Sequence, residues 1–120
     1  MAQNAKTSPF LSIIVPVYNS WNNLVGCVES ILGQDRPPTF ELIVVDDGSE
    51  SKSSQSLDFA NLTLIRQDRL GVSHARNRGI AAARGELLLF VDSDCVLEPN
   101  CLFELERTFR ENPEELAFQL

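Results

Sequence analysis

Residues 11–19 read LSIIVPVYN, an apolar and largely β-branched run that stops at Tyr18 and Asn19. β-Branched side chains are restricted at χ1 and pack well on the pleated surface of a sheet, so they favour strands. Apolar residues fill almost every position of the run instead of alternating, which is typical of a strand covered on both faces. The run therefore predicts a buried strand over Leu11–Val17, followed by a polar end.

Further apolar and amphipathic stretches alternate along the rest of the chain. The predicted strands cover residues 41–45, 62–66 and 86–91, and the predicted helices cover residues 22–33, 71–83 and 99–110. At about 100° per residue, the inner arc of the first helix holds Leu24, Cys27, Val28, Ile31 and Leu32. This alternation predicts an α/β fold with a mainly parallel sheet and helices on both faces.

The chain is long enough for one domain, which we place over residues 10–120 after a flexible segment at residues 1–9. The polar residues 50–56 predict the most mobile loop. Residues 116–120, LAFQL, resemble the beginning of another strand, and natural domains rarely end on an unpaired apolar strand. We therefore expect the domain to be truncated at its C-terminus.

The composition excludes some partners. Ten basic and seventeen acidic residues give a net charge of −7, which argues against a nucleic-acid binder with a basic face. Residues 1–9 lack the apolar stretch of a signal peptide, and the longest apolar run, residues 87–91, is too short to cross a bilayer. Three cysteines without a metal-ligand spacing indicate reduced thiols and a cytoplasmic chain.

Polar residues follow three of the predicted strands: Tyr18-Asn19, Asp46-Asp47 and Asp92-Asp94. In open parallel sheets, ligands bind in the crevice beyond the carboxyl ends of the strands. We therefore expect these three clusters, which are distant in sequence, to converge on one crevice.

Asp92-Ser93-Asp94 is the strongest candidate for a metal site. Two carboxylates at positions i and i+2 can turn toward one cation where the chain leaves a strand. Carboxylate oxygens suit Mg²⁺ or Mn²⁺, which also bind phosphate oxygens. The alternative is a polar turn or a helix-capping segment. An EF-hand is excluded, because the glycine and glutamate that it requires do not follow at the right spacing.

Asp46-Asp47-Gly48-Ser49 is the second candidate. Adjacent acids after a buried strand point in different directions, so one can face the crevice while the other orders the loop. The carboxylate that faces the crevice could accept a hydrogen bond from the N3–H of uracil or from a ribose hydroxyl. The alternative is an acidic turn in which Gly48 supplies a positive φ.

Arg76 lies near the middle of an apolar helical arc. That arc, in the predicted helix 71–83, holds Ala75, Gly79, Ile80, Ala82 and Ala83. An inward guanidinium must be paired with a carboxylate or with a ligand phosphate. The two readings are a buried salt bridge, to Asp47 or Asp92, and a contact with the ligand, and both can hold.

Four segments, SIIVPVYN, VVDDGS, GVSHARNRGI and FVDSD, occur in this order from residue 12 onward. Together they resemble the family 2 glycosyltransferases, whose GT-A fold is Rossmann-like. Each segment is weak by itself, but the combination is highly specific and covers roughly residue 11 to the end. The resemblance implies that the chain is the nucleotide-sugar-binding part of such an enzyme.

The resemblance also implies which residues bind the nucleotide of a donor, with UDP-sugar as the expected class. Pro16, Val17 and Tyr18 would line the base pocket, and Asp47 would face uracil. Arg76 would approach the base or the diphosphate.

The D-x-D motif of the family corresponds to residues 92–94. By resemblance, Asp92 would contact the ribose and share the metal, Ser93 would belong to the nucleotide-sugar site, and Asp94 would bind Mg²⁺ or Mn²⁺. The metal would in turn hold the diphosphate.

Members of the family transfer the sugar with inversion to an acceptor hydroxyl on a saccharide, a lipid-linked molecule or a protein. Their general base lies on the acceptor side, which corresponds to a position beyond Leu120. We therefore expect these 120 residues to bind donor without transferring sugar. Parts of the parent chain outside them could associate with the cytoplasmic face of a membrane.

The sequence departs from the family pattern at Trp21, which stands where many relatives have an acid.

Three other interpretations remain open. A nucleotidyltransferase also pairs acids around a metal, but it would have a glycine-rich, lysine-containing loop after the first strand, where this chain has VPVYNSWNN. A phosphoacceptor receiver domain fits the length and acidity, but its acidic pair would follow the first strand. The third is a non-catalytic nucleotide-binding fragment.

Overall fold

The computed structural model describes residues 8–50 and 62–114 of the chain. These residues form four β-strands and three α-helices. In chain order they are β1 (Leu11–Val17), α1 (Trp21–Leu32), β2 (Phe40–Asp47), β3 (Leu62–Gln67), α2 (Val72–Ala82), β4 (Leu87–Phe90) and α3 (Cys101–Glu111). Each predicted element within the described residues is present, with ends that differ from the prediction by at most two residues.

The four strands form one sheet in the order β3-β2-β1-β4, and every neighbouring pair is parallel. Leu11 pairs with Phe40 of β2 on one side and with Leu87 of β4 on the other. The chain therefore runs from β1 through β2 to β3 and then returns, so that β4 lies on the side of β1 away from β2. Ligands of open α/β sheets bind at such a reversal of strand order. The predicted α/β fold is confirmed.

Helices cover both faces of the sheet, as predicted. On one face, α1 and α3 contribute to the larger core the buried side chains of Trp21, Leu24, Cys27, Val28, Ile31, Leu102 and Leu105. On the other face, Ala75 of α2 packs with Ile14, Ile43 and Val45. Since β1 and β2 are buried on both faces, an apolar residue is favoured at nearly every position of these strands.

The apolar arc predicted for α2 is wrong in part. Ala75 and Gly79 are buried, but Ile80 is 42% exposed and Ala82 is also exposed. A Cβ atom added at Gly79 would lie 2.4 Å from Cγ2 of Ile14, so the helix backbone lies directly against the sheet. This close approach makes the contact narrow, and residues farther around the helix face solvent.

Two other details of the elements differ from expectation. β2 continues through Asp47, so both aspartates belong to the strand. Leu32, predicted on the inner arc of α1, is 36% exposed because it lies at the last position of the helix.

Parts of two predicted segments and the whole of a third lie outside the described residues: 1–7, 51–56 and 116–120. Pro9, in the segment predicted to be flexible, is buried. Within residues 8–50 and 62–114, none of the helices is both long enough and apolar enough to span a membrane.

Candidate functional site at the carboxyl ends of the strands

Two hydrogen bonds join the segment after β1 to the segment after β2. The backbone N–H of Asn19 donates to Oγ of Ser49 at 2.8 Å, and the N–H of Glu50 donates to Oδ1 of Asn19 at 2.7 Å. Gly48 has φ of 77°, as expected, and a Cβ atom there would lie 2.7 Å from the backbone nitrogen of Arg69. The ends of β1 and β2 are therefore fixed against each other and against the segment after β3.

Asp46 is 1% exposed and orders the end of β2. Its Oδ1 accepts from the N–H of Ser49 at 3.0 Å, and its Oδ2 accepts from Nη1 of Arg66 at 2.8 Å. The Arg66 guanidinium lies 5.8 Å above the ring centroid of Trp21, which is itself buried. Asp46 is thus the acid that orders the loop, and Trp21 packs in the core.

Asp47 is 2% exposed and accepts hydrogen bonds from the last residue of β3 and from the segment between β3 and α2. Its Oδ1 accepts from Nε2 of Gln67 at 2.9 Å and from the N–H of Leu70 at 2.8 Å. Its Oδ2 accepts from Nη1 of Arg69 at 3.1 Å and from the N–H of Gly71 at 3.0 Å. Burial opposes the charged carboxylate, but these hydrogen bonds and the Arg69 charge outweigh it and lower the pKa of Asp47.

Arg69 connects Asp47 to the end of β1. Its guanidinium carbon lies 3.5 Å above the ring centroid of Tyr18, while Nη1 contacts Asp47. A cation at this distance from an aromatic face is attracted by the quadrupole of the ring. The side chain of Arg69 is nevertheless 55% exposed, so it can leave this position without disturbing the packing of the core. Sequence analysis did not select Arg69, although a buried acid at the end of β2 requires a cation or several donors.

The other two residues predicted to line the base pocket are placed differently. Val17 is 2% exposed and belongs to the larger hydrophobic core, so its side chain faces α1 and α3. Pro16, one position earlier on the strand, is half-buried on the opposite face. Tyr18 is half-buried directly beyond the strand end.

Arg76 of α2 reaches toward the end of β4. Its Nη2 lies 3.8 Å from Oδ1 of Asp92, and its side chain is 41% exposed. The predicted pairing with Asp92 is therefore present, but it is not buried, and Asp47 pairs with Arg69 instead. His74 and Arg78, neighbours on the same helix, are exposed as expected.

Asp92, Asp94 and Cys95 form an exposed cluster after β4. One ligand atom from each, a carboxylate oxygen or the thiol sulfur, lies within 4.8 Å of the other two. Ligands of an octahedral Mg²⁺ or Mn²⁺ lie about 2.0–2.2 Å from the metal, so adjacent ligands are roughly 3 Å apart, and these exposed side chains would have to turn inward to bind such an ion. Ser93, between the acids, is half-buried. The donor set fits a divalent cation, and Cys95 is a neighbour that the sequence analysis missed.

Cys27 lies beneath this cluster. It is fully buried in the core, as predicted, and its thiol donates to the backbone carbonyl of Asp92 with an S···O distance of 3.6 Å. Burial, with added repulsion from Cys95, Asp94 and Asp92, raises the pKa of the Cys27 thiol to about 11. All three cysteines are free, and Cys27 remains a protonated donor at neutral pH.

Residues 12–119 match the sequence model of Glycosyl transferase family 2. The chain belongs to this family. The match spans all four segments that carry the resemblance, so the predicted family and GT-A fold are confirmed.

Glycosyltransferases from distant organisms are similar to this chain over the same region. The chain is 34% identical over 116 residues to the glycosyltransferase GlyG of Streptococcus pneumoniae. The alignment covers 92% of this chain and 38% of that protein. It is 38% identical over 96 residues to the glycosyltransferase AglE of Haloferax volcanii, covering 74% of this chain and 32% of that protein. The chain thus spans about a third of the length of these relatives.

Two solved structures have the same architecture over the part of this chain that they match. S. aureus TarS 1–349, solved in complex with UDP and with UDP-GlcNAc, superposes with a TM-score of 0.78 at 33% identity, over 86% of this chain and 32% of that one. The mannosyltransferase PcManGT of Pyrobaculum calidifontis, solved with GDP-Man and Mn²⁺, superposes with a TM-score of 0.62 at 28% identity, over 73% of this chain and 28% of that one.

Proposed function

We propose that this chain forms the donor side of an inverting glycosyltransferase (EC class 2.4) that binds a UDP-sugar together with Mg²⁺ or Mn²⁺. The observation that carries the proposal is the exposed pair Asp92 and Asp94 at the reversal of strand order, with Arg76 within 3.8 Å of Asp92. A divalent cation and a guanidinium that lie side by side can together neutralise the negative charge of a diphosphate.

Asp94, with Asp92 beside it, is proposed to bind the metal. Asp92 also contacts the ribose, Ser93 approaches the nucleotide-sugar between them, and Arg76 contacts the diphosphate or the base. When bound, the cation stabilises the charge that develops on the leaving diphosphate. The exposure of Asp92 and Asp94 supports these roles, because their oxygens are accessible to a ligand without unfolding the sheet.

The uracil is proposed to bind between the end of β1 and Asp47, near Pro16, Val17 and Tyr18. In the structure, Arg69 lies over the face of the Tyr18 ring and contacts one oxygen of Asp47. Uracil would take this place as Arg69 turns toward solvent, and the N3–H would then donate to the Asp47 oxygen that Arg69 leaves. UDP and UDP-GlcNAc bound to TarS support the choice of base.

The sugar acceptor and the general base are proposed to lie in the rest of the enzyme. At the site, Asp46 and Asp47 are buried and paired, while Asp92 and Asp94 are assigned to the donor. These four carboxylates therefore already have roles in the fold or on the donor side. The acceptor is a saccharide, a lipid-linked molecule or a protein, and the enzyme acts in the cytoplasm or at the cytoplasmic face of a membrane.

The test is calorimetric titration of the chain with UDP, in Mn²⁺ and in EDTA, followed by CDP, GDP and ADP in Mn²⁺. We expect tighter binding of UDP in Mn²⁺ than in EDTA, and weaker binding of the other three diphosphates. Equal affinity for UDP in Mn²⁺ and EDTA would remove the metal from the proposal. Preference for GDP would reassign the base while leaving the diphosphate site intact.

A further inference from the structure

The segment that bears the proposed metal ligands contains neither helix nor strand from residue 92 to residue 98. We call residues 92–98 the acidic loop. The side chains of Asp92, Asp94 and Cys95 are exposed, so they do not themselves hold the loop against the core. Leu97 packs against the larger core, and the rest of the loop backbone is held by the groups that its own N–H and C=O groups contact.

Side chains from the end of α1 make several of these contacts. Cys27 and Ser30 belong to α1, and Gln34 follows the helix by two residues. We call these three residues the α1 tether. Residues three or four positions apart share one face of a helix, so Cys27 and Ser30 point in the same direction.

Ser30 holds the middle of the acidic loop. Its hydroxyl donates to the backbone carbonyl of Cys27 at 2.7 Å, a bond that fixes the side-chain rotamer. The same oxygen accepts from the backbone N–H of Leu97 at 3.0 Å. The Ser30 hydroxyl, held in one orientation on α1, therefore fixes the position of the Leu97 amide, three residues after Asp94.

Gln34 holds the end of the acidic loop and is 8% exposed. Its Nε2 donates to the carbonyl of Ser30 at 3.1 Å and to the carbonyl of Glu98 at 2.6 Å. Its Oε1 accepts from the N–H of Leu102 in the first turn of α3 at 2.8 Å. One buried amide therefore ties α1 to the end of the loop and to the beginning of α3.

We propose that the α1 tether positions Asp92 and Asp94 for the metal and diphosphate, so that its residues control metal-dependent donor affinity without contacting the donor. Cys27 at the Asp92 carbonyl, Ser30 at Leu97 and Gln34 at Glu98 hold the beginning, middle and end of the loop. A ligand set held in place loses less conformational entropy on binding, which strengthens affinity. This inference rests on the proposed donor site.

The test compares two serines whose hydroxyls each accept a hydrogen bond from a backbone amide. Ser30 donates to a backbone carbonyl, whereas Ser12 donates to the Glu41 carboxylate. Ser30→Ala removes a hydroxyl that accepts from the Leu97 amide beside the site. Ser12→Ala removes a buried hydroxyl that accepts from the Gly85 amide at 2.8 Å, near the opposite end of the strands. Both variants should lose thermal stability, but only one of the two serines contacts the acidic loop.

The readout is the Mn²⁺ increment, defined as the ratio of the UDP affinity in Mn²⁺ to that in EDTA. We expect Ser30→Ala to reduce this increment about threefold to tenfold, the equivalent of one lost hydrogen bond. Ser12→Ala should keep the parent increment, and Ser30→Thr, which retains the hydroxyl, should restore most of it. Affinity in EDTA should change little in all three variants.

A folded Ser30→Ala chain with the parent increment would overturn the inference, as would an equal loss in Ser12→Ala. If Ser30→Ala does not fold, Cys27→Ala against Cys27→Ser tests the same tether, and an equal increment in both overturns it. A parent chain without any Mn²⁺ increment defeats the proposed donor site and this inference with it. A parent increment that survives the Ser30 change defeats the inference alone.

Discussion

Asp47 joins three parts of the molecule through one carboxylate. It lies at the end of β2, accepts from Leu70 and Gly71 at the beginning of α2, and pairs with Arg69, which lies against Tyr18. A carboxylate at the N-terminus of a helix is also favoured by the helix dipole. Asp47 is therefore important for the fold as well as for the proposed recognition of uracil.

Asp47→Asn tests the structural part of this role. The amide would place a donor against the N–H groups that now donate to the carboxylate, so we expect the free energy of unfolding at pH 7 to fall by about 1–3 kcal/mol. Urea unfolding measures the change. Asp68→Asn, which alters an exposed carboxylate in the adjacent segment, is the control and should stay near the parent.

The same pair of chains makes a prediction about pH. The pKa of Asp47 is lower in the folded state, so its stabilisation is fully present above the ordinary aspartate pKa of about 3.9 and is lost as the pH falls through the folded-state value. The stability difference between parent and Asp47→Asn should therefore be large at pH 7 and smaller at pH 3. A difference that grows in acid would contradict the assignment.

Sequence patterns predicted the acids of the site better than their partners. Asp47, Asp92 and Asp94 stand at strand ends, a position that the hydrophobic pattern reveals directly. Arg69 and Cys95 lie in loops, where no periodicity relates a residue to a direction in space. Which cation neutralises Asp47 depends on the path of the segment after β3, and that path follows from tertiary packing.

At the scale of elements, α2 is the part whose sequence pattern was least informative. Its two buried residues, Ala75 and Gly79, are small, and Ile80 beside them is exposed. A helix whose backbone approaches the sheet closely buries small residues, so its apolar arc is hard to tell from a solvent-exposed face. β1, whose apolar run is continuous, was predicted to the residue, and the ends of β2 were predicted within two residues.

Gly79→Ala tests this close approach. The new methyl group would lie 2.4 Å from Cγ2 of Ile14 on the sheet, so we expect a loss of about 1–3 kcal/mol in unfolding free energy. The matched control is Gly26→Ala in α1, where an added Cβ meets no atom within 4 Å. That change should stabilise the chain by about 0.5–1 kcal/mol, because alanine is the better helix former. Equal effects at the two glycines would refute the packing described for α2.

At the scale of the whole molecule, the order β3-β2-β1-β4 explains why distant segments meet. β4 lies beside β1, so Asp92 follows the strand next to the one that Tyr18 follows, although the two residues are far apart in sequence. Alternation of strands and helices predicted a parallel sheet, but it could not predict the order of the strands. The order depends on which face of the sheet each connection crosses, and the structure supplies it.

The proposed division of the enzyme predicts donor binding without transfer. The chain spans about a third of the length of its relatives, and Asp46, Asp47, Asp92 and Asp94 are assigned to the fold or the donor. We expect these residues to bind UDP-sugar and to release no UDP in the presence of a panel of acceptors. A chain extended to the length of the relatives is the positive control. Acceptor-dependent turnover by the 120 residues themselves would show that the base lies among them.

The most direct test of the central claim, that Asp92 and Asp94 bind the metal of a nucleotide-diphosphate donor, is electron paramagnetic resonance of Mn²⁺. The signal of free aqueous Mn²⁺ weakens on binding, so its amplitude can be followed as chain is added in the presence of UDP. We predict that the parent and Asp35→Asn, a change at an exposed carboxylate after α1, remove the free signal alike. Asp94→Asn should weaken Mn²⁺ binding roughly 10-fold or more. Unchanged Mn²⁺ binding by folded Asp94→Asn would contradict the account.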